Sequence, residues 1–102
     1  MTEHDFRELF EHYPELIQDM NDTFTSHQFI LHLARQQQSL YIEALSAYNN
    51  LLNPQHPAPF KTVHGILAKH LNVYPNLVTH IGDVESQNIF KKENTCAQWR
   101  KA

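Results

Sequence analysis

Glycine and cysteine are both scarce in this chain, and each scarcity excludes a class of protein. Only two glycines occur among 102 residues, which argues against an all-β fold rich in tight turns. Cys96 is the single cysteine, so no internal disulfide can form. A lone cysteine is compatible with a reducing compartment, and we expect a cytoplasmic protein.

Long apolar runs are also lacking. No stretch is long enough to span a bilayer, and the acidic start of the chain lacks the basic residues and apolar run of a signal peptide. We therefore expect neither a targeting segment nor a membrane partner. Hydrophobic residues make up 41% and charged residues 19% of the chain, within the range of one globular domain spanning residues 1–102.

The sequence contains no recognisable motif for catalysis or metal binding. No two of its eight histidines lie three or four residues apart, so no helical pair can bind zinc as in HExxH. Cys96 has no cysteine partner at zinc-finger spacing. A glycine-rich phosphate loop and a G-x-S-x-G motif are absent too. We predict no enzyme activity, no metal and no cofactor.

Charge is divided unevenly along the chain. Residues 1–50 carry eight acidic and two basic residues, whereas residues 51–102 carry three acidic and six basic ones. A proline-rich connector, residues 53–60, separates an acidic helical half (1–52) from a basic half. This division fits either an acidic partner for the basic half or mutual attraction of the two halves within the fold.

Two helical stretches are expected before the connector. Residues 5–22 have helical periodicity that Pro14 interrupts. Residues 25–52 begin with Thr25 and Gln28 at the spacing of a capping box. The apolar stripe of this second stretch consists of Ile30, Leu33, Ala34, Tyr41, Ala44, Leu45, Tyr48 and Leu52. Such a helix would be roughly 40 Å long, so either it bends near residues 36–38 or part of its stripe packs on another chain, as in a homodimer.

The pattern of residues 63–82 predicts a helix, a turn and a short second helix. Ala68 is a small residue that permits close helix packing. Asn72 stands at the turn, where positive φ is needed, and Pro75 suits the first position of a helix. Val78 and Ile81 would face back onto the first helix. This stretch resembles the helix-turn-helix class of DNA-binding motifs, although Tyr74 is a poor N-cap.

The resemblance implies a regulatory protein that binds duplex DNA. It makes Asn76, Thr79 and His80 the polar face of the recognition helix. The expected phosphate contacts are Lys61, Lys69, Lys91, Lys92, Arg100 and Lys101. Asp83 and Glu85 follow the motif directly and would repel phosphates.

The fold predicted from these patterns is mainly α, a small helical domain with a helix-turn-helix-like unit. Residues 84–102 fit either a β-hairpin, which would form a wing, or a terminal helix. The alternative function is a non-enzymatic protein-interaction or assembly module that uses the amphipathic helix 25–52.

Overall fold

The computed structural model describes residues 5–48, 60–87, 91 and 93–102. The helices are α1 (Arg7–Phe10), α2 (Tyr13–Gln18), α3 (Ser26–Gln36), α4 (Gln38–Ala47) and α5 (Phe60–His70). A short 3-10 helix, Leu71–Val73, follows α5. The strands are β1 (Thr23–Thr25), β2 (Val78–Gln87) and β3 (Glu93–Lys101).

The fold is α+β, so the prediction of a mainly α domain is wrong. The three strands form one antiparallel sheet in the order β1-β3-β2. Of the two alternatives for residues 84–102, the hairpin is the correct one. The sheet depends on pairing β1 with β3 across more than 70 residues of sequence, as in Phe24 opposite Trp99. Periodicity within a short window contains no information about such distant pairing.

The predicted interruption of residues 5–22 is confirmed. Helix α1 ends at Phe10, and α2 begins at Tyr13 with Pro14 in its first turn. Proline costs nothing there because the first N–H groups of a helix have no intrahelical partner.

The capping box is also confirmed, and it starts α3. The backbone N–H of Gln28 donates to Thr25 Oγ1 at 3.1 Å, and the backbone N–H of Thr25 donates to Gln28 Oε1 at 2.9 Å. The helix then breaks at Gln37, whose φ of −124° and ψ of 53° are not helical. Since this bend turns Leu33 and Tyr41 into the core of the same chain, the stripe no longer requires a second copy. The homodimer stays a prediction, and Leu52 lies outside the described residues.

The predicted helix-turn-helix at residues 63–82 is half correct. Its first helix is present as α5, which begins at Phe60, inside the range assigned to the connector; residues 53–59 lie outside the described part. The second helix is absent, because residues 75–77 form a turn and β2 begins at Val78. Val78, Thr79 and Ile81 are β-branched and favour a strand, and β3 supplies the pairing partner.

Two residues assigned to turns or helix ends have other roles. Asn72 lies in the 3-10 helix, not in a left-handed turn, and its side chain donates to the carbonyl of Lys69 at 3.2 Å. Gly82 does not end a helix. It has a φ of 142° at a β-bulge where the register between β2 and β3 shifts, a conformation that glycine adopts without strain.

One core joins the helices to the inner face of the sheet. Its most deeply buried large side chains are Tyr13, Phe24, Phe29, Leu33, Val63, Leu67 and Leu71. Trp99, in the central strand β3, closes the core and is 3% exposed. Its indole Nε1–H donates to Ser26 Oγ at 2.9 Å, so the hairpin is held against the start of α3.

Replacing Ser26 with Ala should destabilise the domain by about 1–3 kcal/mol, because the buried indole N–H would lose its acceptor. Urea denaturation followed by Trp99 fluorescence measures this loss. Ser46→Ala, at an exposed site in α4, is the matched control and should change stability little. Equal effects of the two substitutions would contradict the role given to this hydrogen bond.

Candidate nucleic-acid interface

Helix α5 has one buried face and one open face. Val63 and Leu67 are fully buried, and Tyr13 Oη donates to the backbone carbonyl of Leu67 at 2.6 Å. Burial raises the pKa of the Tyr13 hydroxyl, so it remains a donor at physiological pH. This bond joins α5 to the N-terminal helices and fixes which face points outward.

An aromatic cluster holds the C-terminal end of α5. The ring of His70 stacks on Phe10 with centroids 3.4 Å apart and meets the ring of Tyr13 edge-on at 4.9 Å. Tyr74 Oη lies 3.2 Å from His70 Nε2 and donates to the carbonyl of Phe10 at 3.1 Å. Burial lowers the pKa of His70, so the neutral ring is favoured. The cluster restricts rotation of α5 about its axis.

The open face of α5 forms one wall of a groove with a volume of about 690 Å³. The start of α3 and the β2–β3 hairpin form the other walls. From α5 and the residues just beyond it come Phe60, Lys61, His64, Gly65, Ala68, Lys69 and Asn72. The rest of the lining is Ser26, His27, Ile30, His80, Asp83, Asn94, Thr95, Cys96, Ala97 and Trp99. Together these two sets of residues define the groove.

Two of the histidines in the groove are held neutral. Burial and, to a lesser extent, the neighbouring His27 lower the pKa of His64 to about 4. Tyr41 Oη lies 2.6 Å from His64 Nε2, a geometry in which the hydroxyl donates to an unprotonated ring nitrogen. Burial also lowers the pKa of His27, against hydrogen bonds to the backbone of Ser86 and Gln87. Neither ring therefore adds positive charge at neutral pH.

Positive charge in the groove comes from two lysines of α5. Lys61 and Lys69 are exposed, and α5 contains no acidic residue. Across the groove, Asp83 pairs with His80 at 3.2 Å, with both side chains about half exposed or more. The lysine-bearing wall attracts an anion, whereas Asp83 opposes it.

The structure brings three of the predicted contact residues together, namely Lys61, Lys69 and His80. It separates Thr79 from His80, because neighbouring residues of a strand point to opposite faces. Thr79 pairs with Arg100 on the solvent face of the sheet, away from Trp99.

The other predicted contacts are dispersed. Lys101 Nζ donates to the carbonyls of Gln18 and Met20 at 2.9 and 2.7 Å, so its charge stabilises the end of α2. Asn76 is exposed in the turn before β2. Lys91 is exposed between the strands of the hairpin with a φ of 62°. Lys92 lies outside the described residues.

Sequence reasoning missed the parts of the groove that come from distant segments. His27 and Trp99 carry no local signal, since His27 reaches the groove through the packing of α3 on α5 and Trp99 through the sheet. Gly65 does carry a local signal, because glycine is disfavoured in the middle of a helix. An unexplained glycine on a predicted helix could therefore have marked this face.

No known protein family, curated protein or solved structure matches this chain. Within the described residues, none of the helices has the length and apolar character needed to cross a membrane. The described part of the chain also contains no cluster of three or more His, Cys, Asp or Glu side chains arranged to hold a metal ion.

The pH dependence of stability tests the burial of His64. Its pKa is about 4 in the folded chain and about 6.5 when unfolded, so the unfolded chain binds the proton more tightly. The stability from the neutral ring is complete above about pH 6.5 and is lost as the pH falls towards 4. Urea denaturation between pH 7 and 4.5 should show a steeper loss for the wild type than for His64→Gln. If the stability of the wild type and of His64→Gln fell equally with pH, a contribution from the neutral His64 ring would be excluded.

Proposed function

We propose that this protein binds duplex DNA through the open face of α5 and the adjacent β2–β3 hairpin, in a regulatory role in the cytoplasm. The observation that carries the proposal is the outward face of α5, where Lys61, Lys69 and Asn72 lie beside the hairpin with no acidic residue on the helix. The helix-turn-helix assignment to residues 75–81 is abandoned. In this proposal α5 is the helix that enters a groove of DNA.

The order of the elements supports the proposal. Helix α3 packs against α5, although α4 lies between them in the chain. After α5, the 3-10 helix Leu71–Val73 and a turn lead into the two-stranded hairpin, which takes the place of a wing. Helix-turn-helix proteins insert the second helix of such a pair into the major groove. The exposed Lys91 at the tip of the hairpin suits contact with the neighbouring phosphate backbone.

The shape and charge of the groove support it too. Lys61 and Lys69 lie on the wall of the groove that α5 forms, and the start of α3 and the hairpin form its other walls. Because the whole chain has a net charge of −3, binding must depend on this local basic face, and affinity without sequence preference is expected to be weak.

The rival proposal is a protein-interaction module that uses the helix 25–52. It has little exposed apolar surface with which to bind a partner. Phe29, Ile30 and Leu33 of α3 and Tyr41 and Ala44 of α4 are buried in the core. Within the described part of that stretch, Ile42 is the only large apolar side chain that is mainly exposed.

Fluorescence anisotropy titration with a random-sequence duplex at low salt is the first test. Each phosphate contact displaces condensed counterions, so affinity should fall linearly with salt on a logarithmic plot. Lys61→Ala and Lys69→Ala should each flatten that slope by about one unit. Arg35→Ala, the same charge loss at the exposed far end of α3, should leave it unchanged. A folded protein that binds no duplex would favour the protein-interaction module.

Removing the opposing charge should strengthen binding. Asp83→Asn takes a negative charge from the wall of the groove, and we expect affinity for duplex DNA to rise about two- to fivefold at low salt, an advantage that added salt reduces. Asp19→Asn is the matched control, because Asp19 also forms an exposed pair with a histidine, His32, at 3.0 Å, but does not line the groove. An equal gain from both variants would mean that only net charge matters.

A further inference from the structure

The groove has the size and the lining of a site for a small organic molecule. Its volume of about 690 Å³ lies within the range of pockets that enclose a drug-sized ligand, roughly 300–1,000 Å³. Apolar side chains from three elements meet in it, with Ile30 from α3, Ala68 from α5 and Ala97 from β3. All three are buried or half-buried. A concave surface of this size with an apolar lining and a few polar groups is the usual form of such a site.

Side chains with flat rings stand on two walls of the groove. On α5, the ring of Phe60 meets the ring of His64 with centroids 6.0 Å apart. On the hairpin, the ring centroids of His80 and Trp99 are 5.2 Å apart. Phe60 is a large apolar side chain that is still 40% exposed, so its ring has surface left to cover. Rings on both walls favour an aromatic ligand, because stacked and edge-to-face contacts stabilise aromatic pairs beyond the area that they bury.

The charges of the lining favour a ligand with one negative charge. Lys61 and Lys69 are exposed on α5. Asp83, on the hairpin, is the single acidic residue among the described lining residues, and it already pairs with His80 at 3.2 Å. With the histidines counted as neutral, two positive charges and one negative charge leave the groove with one positive charge. A carboxylate supplies one negative charge, and lysine ammonium groups donate hydrogen bonds to it.

We propose that the groove binds a small, planar aromatic carboxylate, whose rings contact the ring-bearing walls while its carboxylate reaches the ammonium group of Lys61 or Lys69. This inference goes beyond the proposed function, because it requires no DNA. A duplex would use the same two lysines, so the ligand would compete with DNA and thereby regulate its binding. That consequence alone rests on the proposed function.

The first test compares three small molecules of similar size by isothermal titration calorimetry with the full-length protein. The first, 2-naphthoate, has both the rings and the charge and should bind with a Kd of about 100 µM or lower. The second, 2-naphthamide, lacks the charge and should bind about fivefold more weakly. The third, decahydro-2-naphthoate, lacks the aromatic rings and should bind about threefold more weakly than 2-naphthoate. Trp99 is the only tryptophan of the chain, so its single indole N–H signal in NMR spectra should shift when 2-naphthoate binds.

A substitution at Gly65 tests whether the ligand lies in the groove. Gly65 lines the groove, is exposed, and has no atom within 4 Å of an added Cβ, so a leucine fits on the helix and fills part of the groove. Leucine is a better helix former than glycine, so the melting temperature of Gly65→Leu should not fall. Its affinity for 2-naphthoate should fall about tenfold or more, because the new side chain clashes with the ligand. Ser46→Leu, at an exposed site of α4 outside the groove, is the control and should bind like the wild type.

A second variant tests the charge and does not alter the packing. Lys61 and Lys69 are exposed, so replacing both with glutamine should leave the fold intact. The double variant should bind 2-naphthoate about fivefold more weakly than the wild type does, because the carboxylate has lost its partners. Its affinity for the uncharged 2-naphthamide should be unchanged. An equal loss of affinity for both molecules would contradict the contact between the carboxylate and the lysines.

The outcomes separate this inference from the proposed function. The inference is overturned if 2-naphthoate does not bind the wild type, if Gly65→Leu binds it equally well, or if 2-naphthamide binds as tightly. None of these measurements contains DNA. Binding of 2-naphthoate without binding of duplex would therefore support the inference and overturn the proposed function, and the reverse result would do the opposite. If both bind, 2-naphthoate should displace the duplex, and simultaneous binding would overturn the proposed competition.

Discussion

Trp99 is the residue on which the rest of this structure depends. It lies in the central strand, opposite Phe24 of β1 on one side and His80 of β2 on the other. Its indole donates to Ser26 at the start of α3. One buried side chain therefore joins β1, the β2–β3 hairpin and the start of α3. This junction helps to hold the hairpin beside α5, and Trp99 is itself part of the lining of the groove.

The proposed DNA-binding function uses the surfaces that this core leaves outside. The buried face of α5 is held by Leu67 and the ring stack on His70, so its opposite face is rigidly presented. Rigid presentation matters for recognition, because a helix that could rotate about its axis would lose the register between its side chains and the bases. The β2–β3 hairpin is held in position in the same way, because Trp99 of β3 is bonded to Ser26 at the start of α3.

The charges of the chain act against each other in this arrangement. Lys61 and Lys69 attract a polyanion, whereas Asp83 and the overall charge of −3 repel it. Burial lowers the pKa of His64 and of His27, so neither ring adds positive charge to the groove at neutral pH. In the proposed function, affinity for DNA must then come from a few well-placed contacts rather than from general electrostatic attraction. Such a balance favours sequence preference over indiscriminate binding to DNA.

The sequence by itself determined the local features. The capping box of Thr25, the interruption at Pro14 and the helix α5 depend on residues within one or two turns of one another. For the long stretch 25–52 the sequence left two alternatives, a bend near residues 36–38 or packing on another chain, and the structure shows the bend at Gln37. The tertiary structure alone decided residues 75–87, where strand pairing overrode the helical spacing of Val78 and Ile81, and it decided between the two alternatives for residues 93–101. The tertiary structure also separates the predicted cations. Lys61 and Lys69 line the groove, whereas Lys101 donates to a backbone carbonyl at the end of α2. The reason is that local patterns depend on neighbours along the chain, whereas the sheet and the groove also bring together segments more than 70 residues apart, such as β1 and β3.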